Sequence, residues 1–247
     1  MGQDKAGRIL DAAEALLIAY GYRKVTVDDV ARRSGVGKGT VYLYWGSKRE
    51  LFAAVLAREA AGQLAARLAA LLADPGEVRL HRAMRLTYLE GMRRPLSRAF
   101  LTADRDALGE LLAEGTTGPR LAAEKSDRTA RYLDLLREHG LLTGDPLAQY
   151  RLSAVMTGFC LLDGLPGFRV DGLALEEKAE ALAVTVRRAF EPDGEPEPAA
   201  LRAAAEEAAL LYREWLAELT APLPGGGQDT SARGAGQVSQ AAGDTLR

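Results

Sequence analysis

Between Val27 and Tyr44 the chain has room for two short helices and one tight turn, and no other stretch constrains the fold as strongly. Thr26 caps a helix beginning at Val27, with the acidic Asp29 three positions on, as a helix N-terminus with orphan amides requires. Ala31 is small where two helices approach closely. Gly35 supplies the positive φ of the turn, and Val30, Val36 and Val41 fill the small core between the helices. The spacing of four residues from Ala31 to Gly35 and six from Gly35 to Val41 is that of a helix-turn-helix. Its second helix, about 38–45, opens with Lys38, Gly39 and Thr40. A basic group, a bare backbone and a hydroxyl suit close approach to a DNA major groove.

The rest of the chain reads as helix. Ile9, Ala13, Leu16, Leu17 and Tyr20 recur at helical spacing over 5–20, and Gly21 offers a left-handed stop. Ser47-Lys48-Arg49-Glu50 forms a capping box that sets a long helix start at Lys48. Helices are expected over 48–73, 77–93, 96–114, 119–139, 146–164 and 174–190, separated by Pro- and Gly-bearing breaks. After the proline-rich 192–198, an apolar stripe at Leu201, Ala208, Leu211, Trp215 and Leu219 predicts one more amphipathic helix over 199–219. Residues 222–247 have little to bury, so ordering entropy predicts a disordered tail. Few aromatics and many Ala, Leu, Arg and Glu agree with an all-α fold. The expected domains are 1–50 for DNA, 51–191 for ligand binding and dimerisation, 192–221 as linker plus extra helix, and 222–247 as tail.

The formal net charge is −2. It is unevenly placed: residues 1–52 hold nine Lys/Arg against six Asp/Glu, a net +3, which leaves −5 for the remainder. The positive end is the one expected to meet phosphate. The start MGQDKAGRIL has no signal-like apolar core and no apolar run reaches a bilayer-spanning length, so the expectation is a cytoplasmic protein with no membrane contact. Cys160, in the apolar run SAVMTGFCLL, reads as a small buried hydrophobe.

The segment VTVDDVARRSGVGKGTVYLYWGSKRELFAAVL resembles the N-terminal region of the TetR family, with its T-x-Y-x-Y recognition helix and a lysine near the next helix start. The resemblance covers about the first 55 residues. It implies that Lys38, Gly39, Thr40 and Tyr42 face the groove, that Tyr44 and Lys48 reach phosphates, and that Thr26 caps its helix beside the DNA backbone. It further implies a homodimer on double-stranded operator DNA that senses a small molecule. The order Gly35 to Thr40 superficially matches a phosphate loop, but Gly39 separates Lys38 from Thr40 and no strand precedes.

Candidate ligand-binding residues are Tyr88, Met92, Phe100, Met156 and Phe159, since Met and aromatic groups line adaptable apolar cavities between helices. Their plainer role is core packing. The run 152–165 is apolar nearly all round, and the next helix carries Ala179, Leu182, Ala183, Val186 and Phe190 at regular spacing. Val155, Leu162, Leu182 and Val186 are therefore the expected dimer seam. His81 and His139 stand apart from each other and from cysteine, which disfavours metal. Asp104, Asp106 and Glu110 read as a solvated face. No catalytic arrangement, metal-ligand spacing or dinucleotide fingerprint supports an enzyme or carrier on a helical bundle, and no cofactor is expected. A ligand-released repressor is the leading expectation; an activator, or a regulator controlled by a partner at 199–247, uses the same DNA contacts.

Overall fold

The computed structural model describes residues 2–101, 117–165, 170 and 172–221, and these form helices with no strand among them. In chain order the α-helices are α1 (Gly2–Lys24), α2 (Val27–Ser34), α3 (Lys38–Tyr44), α4 (Lys48–Ala73), α5 (Leu80–Arg93), α6 (Pro95–Leu101), α7 (Thr117–Glu138), α8 (Ala148–Leu161), α9 (Leu175–Phe190) and α10 (Pro198–Thr220). The expected tail at 222–247, the acidic groups Asp104, Asp106 and Glu110, and the end of the helix expected over 96–114 lie outside the described residues.

Local chemistry explains the boundaries. The Asp29 amide donates to Thr26 Oγ1 at 3.2 Å and the Thr26 amide donates to Asp29 Oδ2 at 3.0 Å, a closed capping box at α2. Gly35, at φ 70°, ends α2, and the Val36 amide reaches back to the Ala31 carbonyl at 3.0 Å. At α4 the Glu50 amide donates to Ser47 Oγ at 3.1 Å, but the Glu50 carboxylate takes the Gly46 amide at 2.9 Å, one residue before the expected partner.

Two expectations are corrected. Gly21 does adopt a positive φ of 75°, yet helix resumes to Lys24 beyond this kink. The extra turn is held because Tyr22 packs edge-on against Phe52, ring centres 5.4 Å apart. The helix expected from 77 is a 3-10 turn, Pro75–Val78, and then a break at extended Arg79 (ψ 137°) before α5. Arg79 is drawn out by Glu191, described below.

Two apolar cores share one helix. The first gathers Ile9, Leu17, Val30, Val41 and Trp45 from α1–α3 with Leu51, Phe52, Val55 and Leu56 of α4, and takes in Leu96 of α6. It therefore continues past the boundary expected at residue 50. The second holds Leu64 and Leu71 of the same α4 with Tyr88, Tyr132, Leu136, Leu182, Val186, Phe190, Tyr212 and Trp215. The helix after the proline-rich segment is thus part of the second core. It lies along α4, where Tyr212 accepts a hydrogen bond from Arg67.

Candidate nucleic-acid interface and effector seam

α2 and α3 are fixed from inside by Val30, Ala31 and Val41, 0%, 4% and 1% exposed. With Val41 turned inward, the positions flanking it on a seven-residue helix must turn outward. Lys38, Gly39, Tyr42 and Leu43 are exposed, while Thr40 and Tyr44 are half-buried and Tyr44 rests on Trp45 with ring centres 5.5 Å apart. Lys38 and Tyr42, one turn apart, share one side; Gly39 and Leu43 share the next. Leu43, one turn after Gly39, is 74% exposed.

The cations around α3 are already engaged. Lys38 Nζ lies 2.8 Å from Asp28 Oδ2 at the start of α2, and this hydrogen bond holds the lysine's pKa above its ordinary value. Lys48 Nζ donates to the Tyr22 carbonyl at 2.6 Å and sits 4.2 Å from the centre of the Tyr22 ring. It therefore pins α4 to the end of α1 as well as standing beside α3. Thr26 is an exposed cap whose hydrogen bonds hold the Asp29 carboxyl below its usual range. Between α1 and α2 an open groove of about 390 Å³ is walled by Lys24, Arg32 and Arg33 with Leu16, Tyr20, Val25 and Asp29.

The second expected site divides. Tyr88 of α5 is 1% exposed and meets Phe159 of α8 edge-on, ring centres 6.4 Å apart. Met92, Met156 and Phe159 are half-buried against the same core. The structure thus brings four of the five expected ligand residues to the α5–α8 side of the second core; the Phe100 side chain lies outside the described residues.

The residues of the expected dimer seam lie in different surroundings. Leu182 and Val186 are both 0% exposed within the single chain, packed into the core with Phe190 as α9 lies along α5. Val155 is half-buried on the same core, and only Leu162, 40% exposed, faces outward. On α8 Ala154 and Gly158 are exposed and Leu161 is half-buried, Leu165 is exposed beyond the helix, and on α9 Ala181 and Val184 are exposed. Cys160 is buried, as its apolar run implied. His81 and His139 each meet a glutamate, Glu191 at 2.8 Å and Glu207 at 2.9 Å, and no cluster of metal-ligating side chains occurs among the described residues. No helix among them is long and apolar enough to cross a membrane.

Known proteins are similar to this chain in sequence or in fold. The sequence model described as bacterial regulatory proteins, tetR family, matches residues 9–55. An uncharacterised HTH-type transcriptional regulator of Mycobacterium bovis is 41% identical over 61 residues, which span 25% of this chain and only 32% of that protein. The HTH-type transcriptional repressor KstR of Mycolicibacterium smegmatis is 28% identical over 169 residues, covering 63% of this chain and 72% of KstR. The structure of SmeT, the repressor of the Stenotrophomonas maltophilia multidrug efflux pump SmeDEF, is similar in fold with a TM-score of 0.54 at 23% identity, over 79% of this chain and 100% of that one.

Proposed function

We propose that the chain, whose residues 9–55 match the TetR family of helix-turn-helix regulators, is a dimeric repressor rather than an enzyme, one that holds operator DNA through α2 and α3 and releases it when a small apolar molecule enters the α5–α8 seam. The observation that supports this reading is the shared helix α4. Its Leu51, Phe52, Val55 and Leu56 belong to the core of α1–α3, and its Leu64 and Leu71 to the core that holds Tyr88. A rigid helix of 26 residues spans about 39 Å, so a shift where α5 packs on α4 tilts the recognition helix at the far end.

The groups proposed to meet DNA are Lys38, Gly39, Thr40 and Tyr42 in the groove, with Thr26, Tyr44 and Lys48 beside the phosphates. Tyr88, Met92, Met156 and Phe159 are the proposed effector contacts. A second copy covers Ala154, Gly158 and Leu161 on α8 and Leu165 just beyond it, with Ala181 and Val184 on α9. A Cβ built at Gly158 meets nothing within 4 Å, which leaves room for a partner helix to come close. Four such helices form a two-fold seam that sets two recognition helices about one DNA turn, ~34 Å, apart. An effector that prefers the released conformation by about 1–3 kcal/mol shifts affinity 5- to 150-fold. KstR, a relative matched over 72% of its length, is named a repressor, which favours release over recruitment.

The test joins a reporter to genomic fragments that the purified protein retains. Deleting the gene is expected to raise reporter expression, and apolar compounds are expected to release the fragment in vitro. A fall in expression on deletion would make the protein an activator, and retention in every compound that binds it would remove the effector role.

A further inference from the structure

Among the described acidic groups of the α1–α4 core, most tie the domain together. Asp11 and Glu14 both take Arg58, at 2.7 Å each, while Asp29 and Glu50 serve the starts of α2 and α4. Asp28 does something else. Its carboxylate reaches from α2 to Lys38, the first residue of α3, 2.8 Å away and with the two side chains 52% and 59% exposed. A pair so open to water contributes little to folding, so its effect must be sought in where it sends the Lys38 ammonium.

An untethered lysine is a point charge on a flexible stem and reaches whichever phosphate is near. Asp28 takes one of the three N–H donors of Lys38 and leaves two. Its negative charge also opposes a phosphate at the same spot. Two adjacent donors match the O6 and N7 acceptors that guanine presents in the major groove. Tyr42, exposed one turn further on the same side of α3, walls that position.

We propose that Asp28 is a specificity-determining, positioning residue: it converts Lys38 from a phosphate anchor into the reader of a guanine in the operator. This rests on α3 being the recognition helix, so the experiment tests both separately. Full-length wild type, Asp28→Asn, Asp28→Ala, Lys38→Ala, Asp28→Ala/Lys38→Ala and Thr40→Ala proteins each select duplexes from a random-sequence pool. Affinities are then measured for the wild-type-selected duplex and for a scrambled one of equal length, over a range of salt.

Wild type is expected to select a guanine at one position per half-site that Lys38→Ala no longer prefers. Both Asp28 variants are expected to lose that preference, to bind the scrambled duplex more tightly, and to lower the selected-to-scrambled ratio by about tenfold. Their salt slope should steepen by about one phosphate equivalent as Lys38 turns to the backbone. Removing Asp28 should change nothing further in the Lys38→Ala background. A guanine preference that survives both Asp28 variants, a ratio held within about twofold, or an equal Asp28 effect without Lys38 overturns the proposal while leaving α3 in place. Selection unaffected by both Thr40→Ala and Lys38→Ala overturns the interface and the proposal together.

Discussion

Glu191, which directly follows α9, buries its carboxylate against Arg79, which directly precedes α5. Glu191 Oε2 accepts from Arg79 Nε at 3.1 Å and Nη2 at 3.0 Å, and Oε1 accepts the His81 amide at 2.8 Å. The glutamate side chain is 3% exposed and Arg79 11%. The amide partner explains why Arg79 is extended, because α5 must begin where that carboxylate waits.

This buried pair makes Glu191→Ala destabilising by about 2–3 kcal/mol in urea unfolding at neutral pH, since removing one partner strands the other groups. Burial alone raises the Glu191 pKa, but hydrogen bonds from His81 and the charge of Arg79 outweigh it and hold the value below the usual glutamate range. A depressed folded-state pKa adds stability above the unfolded value, about 4.3, and loses it as pH falls through the folded value. The gap between wild type and Glu191→Ala should therefore narrow steadily in unfolding curves taken from pH 5 downward. A gap independent of pH contradicts the pairing.

The α4–α10 contact is tested at Tyr212. Its hydroxyl accepts from Arg67, whose guanidinium carbon lies 4.7 Å from the Tyr212 ring centre and 5.4 Å from that of Tyr132. Arg67 Nε is buried without a partner, so Tyr212→Phe adds a second unmet donor and is expected to cost about 1–2 kcal/mol. Trp215→Ala, which empties a site 3% exposed, should cost about 3–5 kcal/mol. Thermal melts of both variants check the order; equal, negligible losses would mean that α10 is not part of the core.

Much of this arrangement was legible in the chain. Thr26 and Ser47 set the starts of α2 and α4, and Gly35 set the turn, because caps and left-handed positions depend on neighbours in sequence. The faces of α9 were not legible. Ala181 and Val184 are apolar like Leu182 and Val186, and periodicity does not say which row meets the subunit's own core. The Asp28–Lys38 and His81–Glu191 pairs were equally hidden, since they join residues on separate elements, 10 and 110 positions apart.

The two rows of α9 give opposite outcomes. Val186→Asp places an unpaired carboxylate in a core position that is 0% exposed and should unfold the chain. Val184→Asp, at a position 41% exposed, should leave the fold intact and yield a monomer with weakened operator binding. Circular dichroism and sedimentation distinguish them. A folded dimer of Val184→Asp would remove this face of α9 from the proposed seam.

Lys48→Ala has a double effect because its ammonium also donates to the Tyr22 carbonyl. It should lower stability by about 1 kcal/mol and reduce the salt slope of DNA binding by about one phosphate equivalent. Tyr42→Phe should weaken DNA binding without a change in the melting temperature.

The central claim is most directly tested by footprinting the purified wild-type protein on genomic fragments beside Thr40→Ala at equal concentration. The account predicts two protected half-sites related by two-fold symmetry and centred about 10 base pairs, or a small multiple, apart, with protection lost in the variant. Protection of a single asymmetric site, or an identical footprint from Thr40→Ala, would contradict it.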